Sequence, residues 1–569
     1  MVDELRVMKR SATLIIDGWE DELRRSLYGS AAGRVGEPTV ILGLQDLTGH
    51  RGNAVKICEA AEAAMEEMLI ENAACFLGLV TDNPNVMKAF RREFVVKYSW
   101  IIPLACWVHQ TNTLVGEICR YADAKSALQR GNRVVTFFNG SHYWGGQLKS
   151  IALDEKVTRG LKKNCESRWY AIILLAMSVT AHHSALTRLT ARPDARKKTE
   201  GLSPVNEDVL RIVKDCNDDF WPWLTRVVRV ARPFVDTIAE TEGRNVNLAD
   251  CMLSLLGAAR QLYVLEPTED DDLDFADFKK HAHQVVDKRF RAMATPVHRL
   301  ALFLHPLCRK LAVLDADGYT LRDLKLTALD IAINKWGWSA DEGRMLVTDI
   351  DAYYSCAEAF AGAQRDGRGW WLKLPVAAAG HPLKQFAIAL LGLVPHSAEI
   401  ERLFSSCNGI QSPKRNSLSV ETFSKLAKIR STLVEEAKQR APPKTVKPSK
   451  KSSEPSATVS EPATRVTAEN SAPLGSSEAL EKWERPLDDA DPDAEGAAGN
   501  EDEDLPDVTI ASAKSKPKKA SQLSLMRGDL YSFELVKKAL ENVVPHAITH
   551  KVDVVKKQQP GHIDIESLL

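Results

Sequence analysis

The segments that decide the fold read SATLIID at Ser11–Asp17 and ACFLGLVTD at Ala74–Asp82. Each is a short aliphatic run ending in an aspartate, which is typical of a buried strand that reaches the edge of a sheet. TVILGLQDL at Thr39–Leu47 and SWIIPLACW at Ser99–Trp107 predict further strands. KICEAAEAAMEEMLIEN at Lys56–Asn72 has apolar residues at helical spacing. These segments predict an α/β domain with a sheet covered on both faces.

Helical periodicity replaces the strand signal from about residue 126 to residue 372. The predicted helices are Trp169–Thr187, Asn206–Phe220, Trp223–Thr241, Leu248–Leu265, Phe278–Met293 and Pro296–Leu314. This region is therefore predicted to be all-α. Residues His381–Cys407 predict two helices separated near Pro395, and Ser419–Gln439 predicts an amphipathic helix.

Composition restricts the class of protein and the way it could bind nucleic acid. The 569 residues are 44 % hydrophobic and 27 % charged. The 75 Lys and Arg residues are nearly balanced by 76 Asp and Glu residues. A nucleic-acid partner must therefore be held by local basic patches. Residues 441–522 are rich in Pro, Ser and acids and predict disorder, and residues 523–569 predict a tail with one short helix near 532–544.

Targeting and redox signals point to the cell interior. No apolar run is long enough to span a bilayer, the longest being Trp169–Ala181, so no membrane partner is expected. The N-terminus does not resemble a secretory signal. Ten scattered cysteines without a CxxC pair predict reduced thiols, hence the cytosol or the nucleus.

Three acidic residues are candidates for a metal site. Asp17 and Asp82 each follow a buried strand, where paired carboxylates suit Mg²⁺ or Mn²⁺. Either could instead be a loop or helix-capping residue. Glu401, in SAEIERLFSS, is predicted to lie on a helix and could equally form a surface ion pair. Cys106 and His109 form CWVH, but no second pair completes a zinc finger.

Two basic clusters are candidates for DNA binding. Arg226, Arg229 and Arg232 recur at three-residue spacing and so share a helix face. The second cluster contains Arg188, Arg192, Arg196, Lys197 and Lys198. Either cluster could contact phosphates or could be a solvated charged face.

Several motifs together resemble those of hAT-family DNA transposases. They are LIIDGWED, VILGLQDLTGH, GLVTDNPNVMKAF, LACWVHQTN, CESRWYA and VPHSAEIERLFSSCNGIQSPKRNSLS. The resemblance covers roughly residues 10–125 and 365–435. It implies a ribonuclease H-like mixed sheet interrupted by a large helical insertion. The division is then 1–125 for the first part of the catalytic core, 126–372 for the insertion, and 373–440 for the end of the core with the dimerisation region. The disordered linker 441–522 and the tail 523–569 follow.

The resemblance also implies a chemistry for individual residues. Asp17, Asp82 and Glu401 match the family's catalytic acids, which hold two Mg²⁺ or Mn²⁺ ions about 3.5–4 Å apart and cut and join DNA phosphodiesters. The flanking motifs are matched by Cys106 and His109 of CxxH and by Arg168 and Trp169 of RW, whose tryptophan stacks on a displaced base. The expected partners are transposon-end and target DNA and further copies of the chain, in a homodimer or higher oligomer held around 397–435.

One family feature is not found in this sequence. Full-length relatives carry an N-terminal BED-type zinc finger, whereas this chain starts a few residues before its first strand. We therefore expect a truncated or relict transposase core, with a host-retained, non-catalytic DNA- or protein-binding dimer as the alternative. Location in the nucleus is expected, and Lys447, Lys450, Lys451 and the KSKPKK run at 514–519 are candidate import signals.

Overall fold

The computed structural model describes Leu5 and residues 10–440, except 22, 51, 166–167, 199–200, 215–218, 269–270, 272 and 410–417. The predicted disorder of 441–522, the tail helix near 532–544 and the candidate import signals lie outside the described residues. Within them the chain combines one mixed β-sheet with a large set of helices, in agreement with the predicted α/β plus all-α class.

The sheet has five strands in the order β3-β2-β1-β4-β5. The strands are β1 Ala12–Glu20, β2 Ser26–Gly33, β3 Val40–Asp46, β4 Phe76–Thr81 and β5 Ile102–Ala105. β1, β2 and β3 pair antiparallel as a meander, whereas β4 and β5 run parallel to β1. The carboxyl ends of β1, β4 and β5 therefore meet at one edge of the sheet.

The described helices fall into a small group near the sheet and a long helical series. In chain order they are α1 Ala54–Glu67, α2 Asn85–Lys97, α3 Trp107–Ile118, α4 Ala122–Gly140, α5 His142–Asp154, α6 Trp169–Ala181, α7 His183–Ala191, α8 Pro193–Arg196, α9 Glu207–Lys214, α10 Phe220–Thr241, α11 Leu248–Tyr263, α12 Leu273–Met293, α13 Pro296–Leu304, α14 Leu321–Leu329, α15 Ala340–Tyr354, α16 Gly367–Lys373, α17 Pro382–Leu390, α18 Ala398–Asn408 and α19 Val420–Arg440. Among the described residues every helix or strand after β5 is a helix. The predicted boundary at 125/126 falls inside α4.

Both faces of the sheet are buried, as the apolar strands predict. Helices α1 and α2 cover one face through a cluster that includes Leu14, Met65 and Phe90. The opposite face shares a continuous core with α3, α18 and the helical series, in which Ile15 and Ile400 take part. Helix α19 covers the edge strand β3, where the Ser424 hydroxyl accepts a hydrogen bond from the backbone N–H of Leu44 at 3.2 Å.

The structure confirms the four predicted strands and adds one that the sequence pattern did not indicate. SLYGSAAG in β2 has no β-branched residue, yet it pairs with strands on both sides. Its small residues are required by packing, because a Cβ at Gly29 would lie 2.9 Å from the Phe404 ring. Tertiary pairing therefore overrides weak local propensity here.

Two predicted helices are shorter than their periodicity indicated. The 169–187 helix breaks at His182, where the axis bends by 58° between α6 and α7. The 296–314 helix ends at Leu304 because Pro306 disfavours helical backbone at His305, whose ψ is 118°. Among the described residues no single helix is long and apolar enough to span a membrane, and only the bent α6–α7 pair meets that length and composition together.

Replacing Gly29 by valine should destabilise the fold. The added atoms would enter the space of the Phe404 ring and separate α18 from β2. We expect a loss of about 1–3 kcal/mol in the free energy of unfolding, measured by urea denaturation. Gly140→Ala is the control, because a Cβ there meets nothing within 4 Å. Equal stability of Gly29→Val and wild type would contradict the packing described.

Candidate active site

Asp17 and Asp82 lie side by side at the carboxyl edge of the sheet. In the parallel pair of β1 and β4, Ile16 is in register with Thr81, so the residues that follow them are neighbours. Asp17 is 5 % exposed, and one of its oxygens accepts the backbone N–H of Gly18 at 2.9 Å. The two acids predicted from strand ends are thus brought together by strand register.

Glu401 reaches this edge on α18, from more than 300 positions downstream. The backbone N–H of Cys106 donates to the Thr81 carbonyl at 2.7 Å, and the N–H of Trp107 donates to the Pro395 carbonyl at 2.9 Å. The backbone N–H of Ser397 donates to Cys106 Sγ at 3.4 Å, and its hydroxyl donates to Glu401 Oε1 at 3.4 Å. The end of β5 therefore anchors the start of α18 and with it the third acid.

The three carboxylates influence one another's charge. Burial, together with the nearby charges of Asp82 and Glu401, raises the pKa of Asp17 well above its ordinary value. Burial and the charge of Glu401 likewise raise the pKa of Asp82, against the opposing charges of His109 and Arg91. Asp82 Oδ1 is buried and has no hydrogen-bond partner. An unpaired carboxylate oxygen among like charges is a position that a cation would relieve.

Two cationic side chains flank Glu401. A terminal nitrogen of Arg168 lies 3.3 Å from Glu401 Oε2, and His109 Nδ1 lies 3.7 Å from Glu401 Oε1. Burial raises the pKa of Glu401, but the charges of His109, Arg168 and His396 outweigh it and hold that pKa below the ordinary value. Glu401 is therefore ionised and paired with Arg168 rather than with its neighbour Arg402.

His109 is biased toward its charged form. Burial lowers its pKa, but its interaction with Cys106 and the charges of Glu401 and Asp17 raise the pKa well above the ordinary value. Its Nδ1 has no hydrogen-bond partner, and its side chain is 38 % exposed. The CWVH motif thus contributes a thiol that anchors α18 and an imidazolium beside the acids.

Trp169 is presented at the surface next to this site. It begins α6 directly after Arg168 and is 41 % exposed. Its ring lies over Gly116 of α3, where a Cβ would come within 2.6 Å of it. The Asn112 side chain of the same helix accepts the Tyr170 N–H at 3.1 Å, which fixes the first turn of α6. An exposed indole held by two fixed helices is available to stack on a planar ligand.

Sequence reasoning missed Arg91, which holds the loop that carries Asp82. Its guanidinium donates to the carbonyl of Asp82 and to the side chain of Asn83, each at 2.6 Å, and also to the Thr81 hydroxyl. The signal was present in the sequence, because Arg91 falls among Met87, Phe90 and Phe94 on the buried face of α2. A charged residue on an apolar helix face requires a buried partner.

Sequence reasoning also missed the contacts that lock α18 against the turn after α10. Arg244 pairs with Glu399 at 2.8 Å and with Glu435 of α19 at 2.8 Å, and Arg402 donates to the Glu242 carbonyl at 3.0 Å. Glu399 therefore faces away from the acids, as its two-residue offset from Glu401 predicts. These polar residues resemble a solvated surface in sequence, so only tertiary structure identifies them.

The first basic cluster is occupied by internal ion pairs. Arg226 is 4 % exposed and bonds Asp271 at 3.1 Å, and Arg229 bonds the same carboxylate at 2.7 Å. Arg232 lies 3.8 Å from Asp236. This burial favours a structural role over both the phosphate contacts and the solvated face that the spacing suggested.

The second basic cluster is divided between paired and exposed side chains. Arg192 bonds Asp194 at 2.6 Å and Gln147 at 2.6 Å, and Arg188 bonds Glu155 at 2.9 Å. The side chains of Arg196, Lys197 and Lys198 are exposed. The last two lysines therefore stay candidates for contact with DNA.

The carboxylates of Asp17, Asp82 and Glu401 are the type of ligand that a hard cation prefers, but their oxygens are not arranged as a coordination shell. Over the residues that the structure describes, no group of three or more His, Cys, Asp or Glu side chains is arranged to hold a metal ion as it stands. Glu401 is held by Arg168 and Ser397, while Asp82 Oδ1 has no partner. Oxygen donors of this kind fit Mg²⁺ or Mn²⁺ once Glu401 exchanges its ion pair for the cation.

Replacing Asp82 by asparagine should stabilise the metal-free protein at pH 7. The pKa of Asp82 is higher in the folded than in the unfolded chain, so the unfolded chain loses this proton more readily. The free energy of unfolding therefore falls as pH rises from the ordinary aspartate pKa to the raised one. Removing the charge should raise the free energy of unfolding by roughly 1 kcal/mol, measured by denaturation in EDTA. The gain should shrink toward pH 4, where the Asp82 carboxyl of the folded wild type is protonated and carries no charge. Asp154→Asn, at an exposed position, should change little.

Neither a family model nor a curated protein sequence matches this chain. What the site can do therefore follows from the positions that β1, β4 and α18 give to Asp17, Asp82 and Glu401.

Proposed function

We propose that this chain is a hAT-transposase-like polynucleotidyl transferase core, with a ribonuclease H-like sheet that binds two divalent cations and cuts and joins DNA phosphodiesters. The observation that supports it best is the convergence of Asp17, Asp82 and Glu401 at one sheet edge, where their charges are coupled. The mixed strand order and the long helical segment between Asp82 and Glu401 agree with the architecture that the motifs imply.

The three acids would hold the cations, and neighbouring groups would bind the DNA. When bound, Mg²⁺ or Mn²⁺ lowers the pKa of a water or 3′-hydroxyl and stabilises the departing oxygen. Arg168 and His109 neutralise Glu401 until it takes up its ligand role, and they then offer positive charge to a phosphate. Trp169 presents its exposed ring at the same place for stacking on an unpaired base.

The second candidate function is a host-retained or relict DNA- or protein-binding dimer without catalysis. The observation that favours it is the Arg168–Glu401 ion pair at 3.3 Å, which occupies one of the three candidate carboxylates. Both candidates use the same fold, so an activity assay distinguishes them.

Purified protein should nick supercoiled plasmid DNA in the presence of Mn²⁺. Asp17→Asn, Asp82→Asn and Glu401→Gln should each reduce the nicking rate by at least a hundredfold, because loss of one carboxylate unbalances the cation pair. Asp154→Asn is the matched control and should nick like wild type. Gel electrophoresis over time measures the rate. Equal activity of wild type and the three variants would exclude the catalytic reading.

We also propose that the chain dimerises through the region around 397–435 and that it is located in the nucleus. An exposed apolar stripe on α19 supports the dimer. Leu426, Ile429 and Leu433 are 37 %, 56 % and 59 % exposed at helical spacing, on the side away from β3. An apolar stripe of this kind commonly marks a protein interface. The segment 410–417 inside this region lies outside the described residues.

Ile429→Glu combined with Leu433→Glu should convert a dimer to a monomer. Two carboxylates in an apolar interface cannot be desolvated without partners. Light scattering after gel filtration measures the mass at matched concentrations. Val96→Glu is the control, since Val96 is 84 % exposed and belongs to a different helix, α2. An unchanged dimer, or a wild-type monomer, would count against this interface.

A further inference from the structure

One side of α3 leads away from the acids along the surface of the protein. His109 and Thr113 are one turn apart, and Gly116 follows at the same spacing, so the three positions form one row on the helix. We call these three positions the α3 row. It begins at the acids, because His109 Nδ1 lies 3.7 Å from Glu401 Oε1. Thr113, in the middle of the row, is exposed.

Helix α6 borders the α3 row on one side. The Asn112 side chain accepts the backbone N–H of Tyr170 at 3.1 Å, which ties the start of α6 to α3. The Trp169 ring lies over Gly116, where a Cβ would come within 2.6 Å of it. Trp169 is nevertheless 41 % exposed. Its indole is therefore an apolar border at the far end of the row.

Helix α12 borders the α3 row on the opposite side. Glu117 is rotated by about 100° around the helix from Gly116, in the direction away from Asn112. Its carboxylate accepts two hydrogen bonds from the Arg289 guanidinium, one of them from Nε at 3.0 Å. The His281 ring also contacts the Glu117 carbonyl, at 3.1 Å. Arg289 and His281 thus hold α12 beside the row.

Helix α12 runs antiparallel to α3, so its last turns are the ones nearest the acids. The ring of Phe278, in the first half of α12, packs at 5.2 Å against Tyr121, which follows α3. The ring of His298, just after α12, packs at 5.1 Å against Trp107, where α3 begins. The end of α12 therefore lies alongside the α3 row.

The exposed side of α12 changes from acidic to basic in the direction of the acids. Asp274 and Asp277 are exposed near its start, whereas Lys288 and Arg291 are exposed near its end. Lys288 and Arg291 are three residues apart and so are neighbours on the helix surface. The Lys288 ammonium lies 3.7 Å from Glu117 Oε1, beyond hydrogen-bond distance, and the side chain is 55 % exposed.

The Glu117 carboxylate is shared by several cations. Burial raises the pKa of Glu117, but the hydrogen bonds and charge of Arg289 and the charge of Lys288 outweigh burial and hold that pKa below its ordinary value. Arg289 occupies both oxygens of the carboxylate. The exposed ammonium of Lys288 can therefore bind a second anion, and a DNA phosphate is an anion of the right size and charge.

The length of the α3 row sets a distance in nucleotides. From His109 to Gly116 is about 10 Å at 1.5 Å per residue. A DNA strand advances about 3.4 Å per nucleotide, so this distance corresponds to about three nucleotides. A strand with its reacting phosphate at the acids would thus bring its third nucleotide between Trp169 and Lys288.

The geometry points to the α3 row as the path of one DNA strand, with an unpaired base about three nucleotides from the reacting phosphate stacked on Trp169, and with Lys288 and Arg291 bound to the phosphates beside that base. Arg289 is a positioning residue, since it holds α12 beside the row through Glu117. The assignment rests on the proposed function, because the acids define where the strand is cut. Lys288 and Arg291 take no part in the chemical step.

The test measures binding of the full chain to a fluorescein-labelled 20-nucleotide oligothymidylate in EDTA, by anisotropy at several salt concentrations. Lys288→Gln with Arg291→Gln should weaken binding about tenfold at about 0.1 M salt. It should reduce the slope of log affinity against log salt by about 1.4, because each phosphate contact on a single strand contributes about 0.7. Trp169→Ala should weaken binding at least fivefold without changing the slope, because stacking releases no counterion. Wild-type affinity and slope in either variant would overturn the inference.

Matched controls separate the α3 row from general surface charge. Arg344→Gln with Lys373→Gln removes the same charge from exposed residues of α15 and α16 and should bind like wild type. Lys288→Arg with Arg291→Lys keeps both charges and should also bind like wild type. If the α15 and α16 variant lowers affinity and slope as much as the α12 variant does, the effect is non-specific and the assignment fails.

Nicking assays separate this inference from the proposed function. Asp82→Asn should lose nicking and keep the salt slope of wild type, whereas Lys288→Gln with Arg291→Gln should nick like wild type at saturating DNA. Absence of nicking in every protein, with the reduced slope retained in the α12 variant, would refute the catalytic proposal and leave the DNA contact in place. Wild-type nicking with an unchanged slope in that variant would refute the contact alone.

Discussion

The burial of like charges at the edge of the sheet is the constraint on which the arrangement depends. Strand register makes Asp17 and Asp82 neighbours, and the return of α18 adds Glu401 to the same poorly solvated place. Repulsion of this kind is costly. Arg168 and His109 offset it at Glu401, and the charges of His109 and Arg91 offset it in part at Asp82. The pKa values of the two aspartates nevertheless stay raised, so their buried like charges lower the stability of the fold.

The network behind the acids explains how a distant segment is placed accurately. Cys106 and Thr81 fix the start of α18, while Arg244 joins that helix to the turn after α10 and to α19. The helical region is therefore connected to the site through ion pairs as well as through a shared apolar core. A ligand bound to the helical region would therefore contact elements that are joined by ion pairs to the helix carrying Glu401.

Local sequence determined the strands and the acids at their ends because buried strands carry a strong aliphatic signal. β1, β3, β4 and β5 were predicted from such runs, whereas β2 was not, because its glycines and alanines are selected by the Phe404 ring and not by propensity. The proximity of Glu401 followed only from the family resemblance, since nothing local relates it to Asp17. The roles of Arg91 and Arg244 could not be predicted, because the local sequence does not show whether an arginine is ion-paired or solvated.

The docking of α18 on the sheet has a consequence for synthesis on the ribosome. β5 ends at Ala105, but the residues that cover its side of the sheet, Ile400 and Phe404 among them, emerge almost 300 codons later. At roughly 5–20 residues per second, that interval is about 15–60 s. A nascent chain must leave the part of the sheet under α18 uncovered for this time, so its yield in cells should depend on chaperones that bind early and release late.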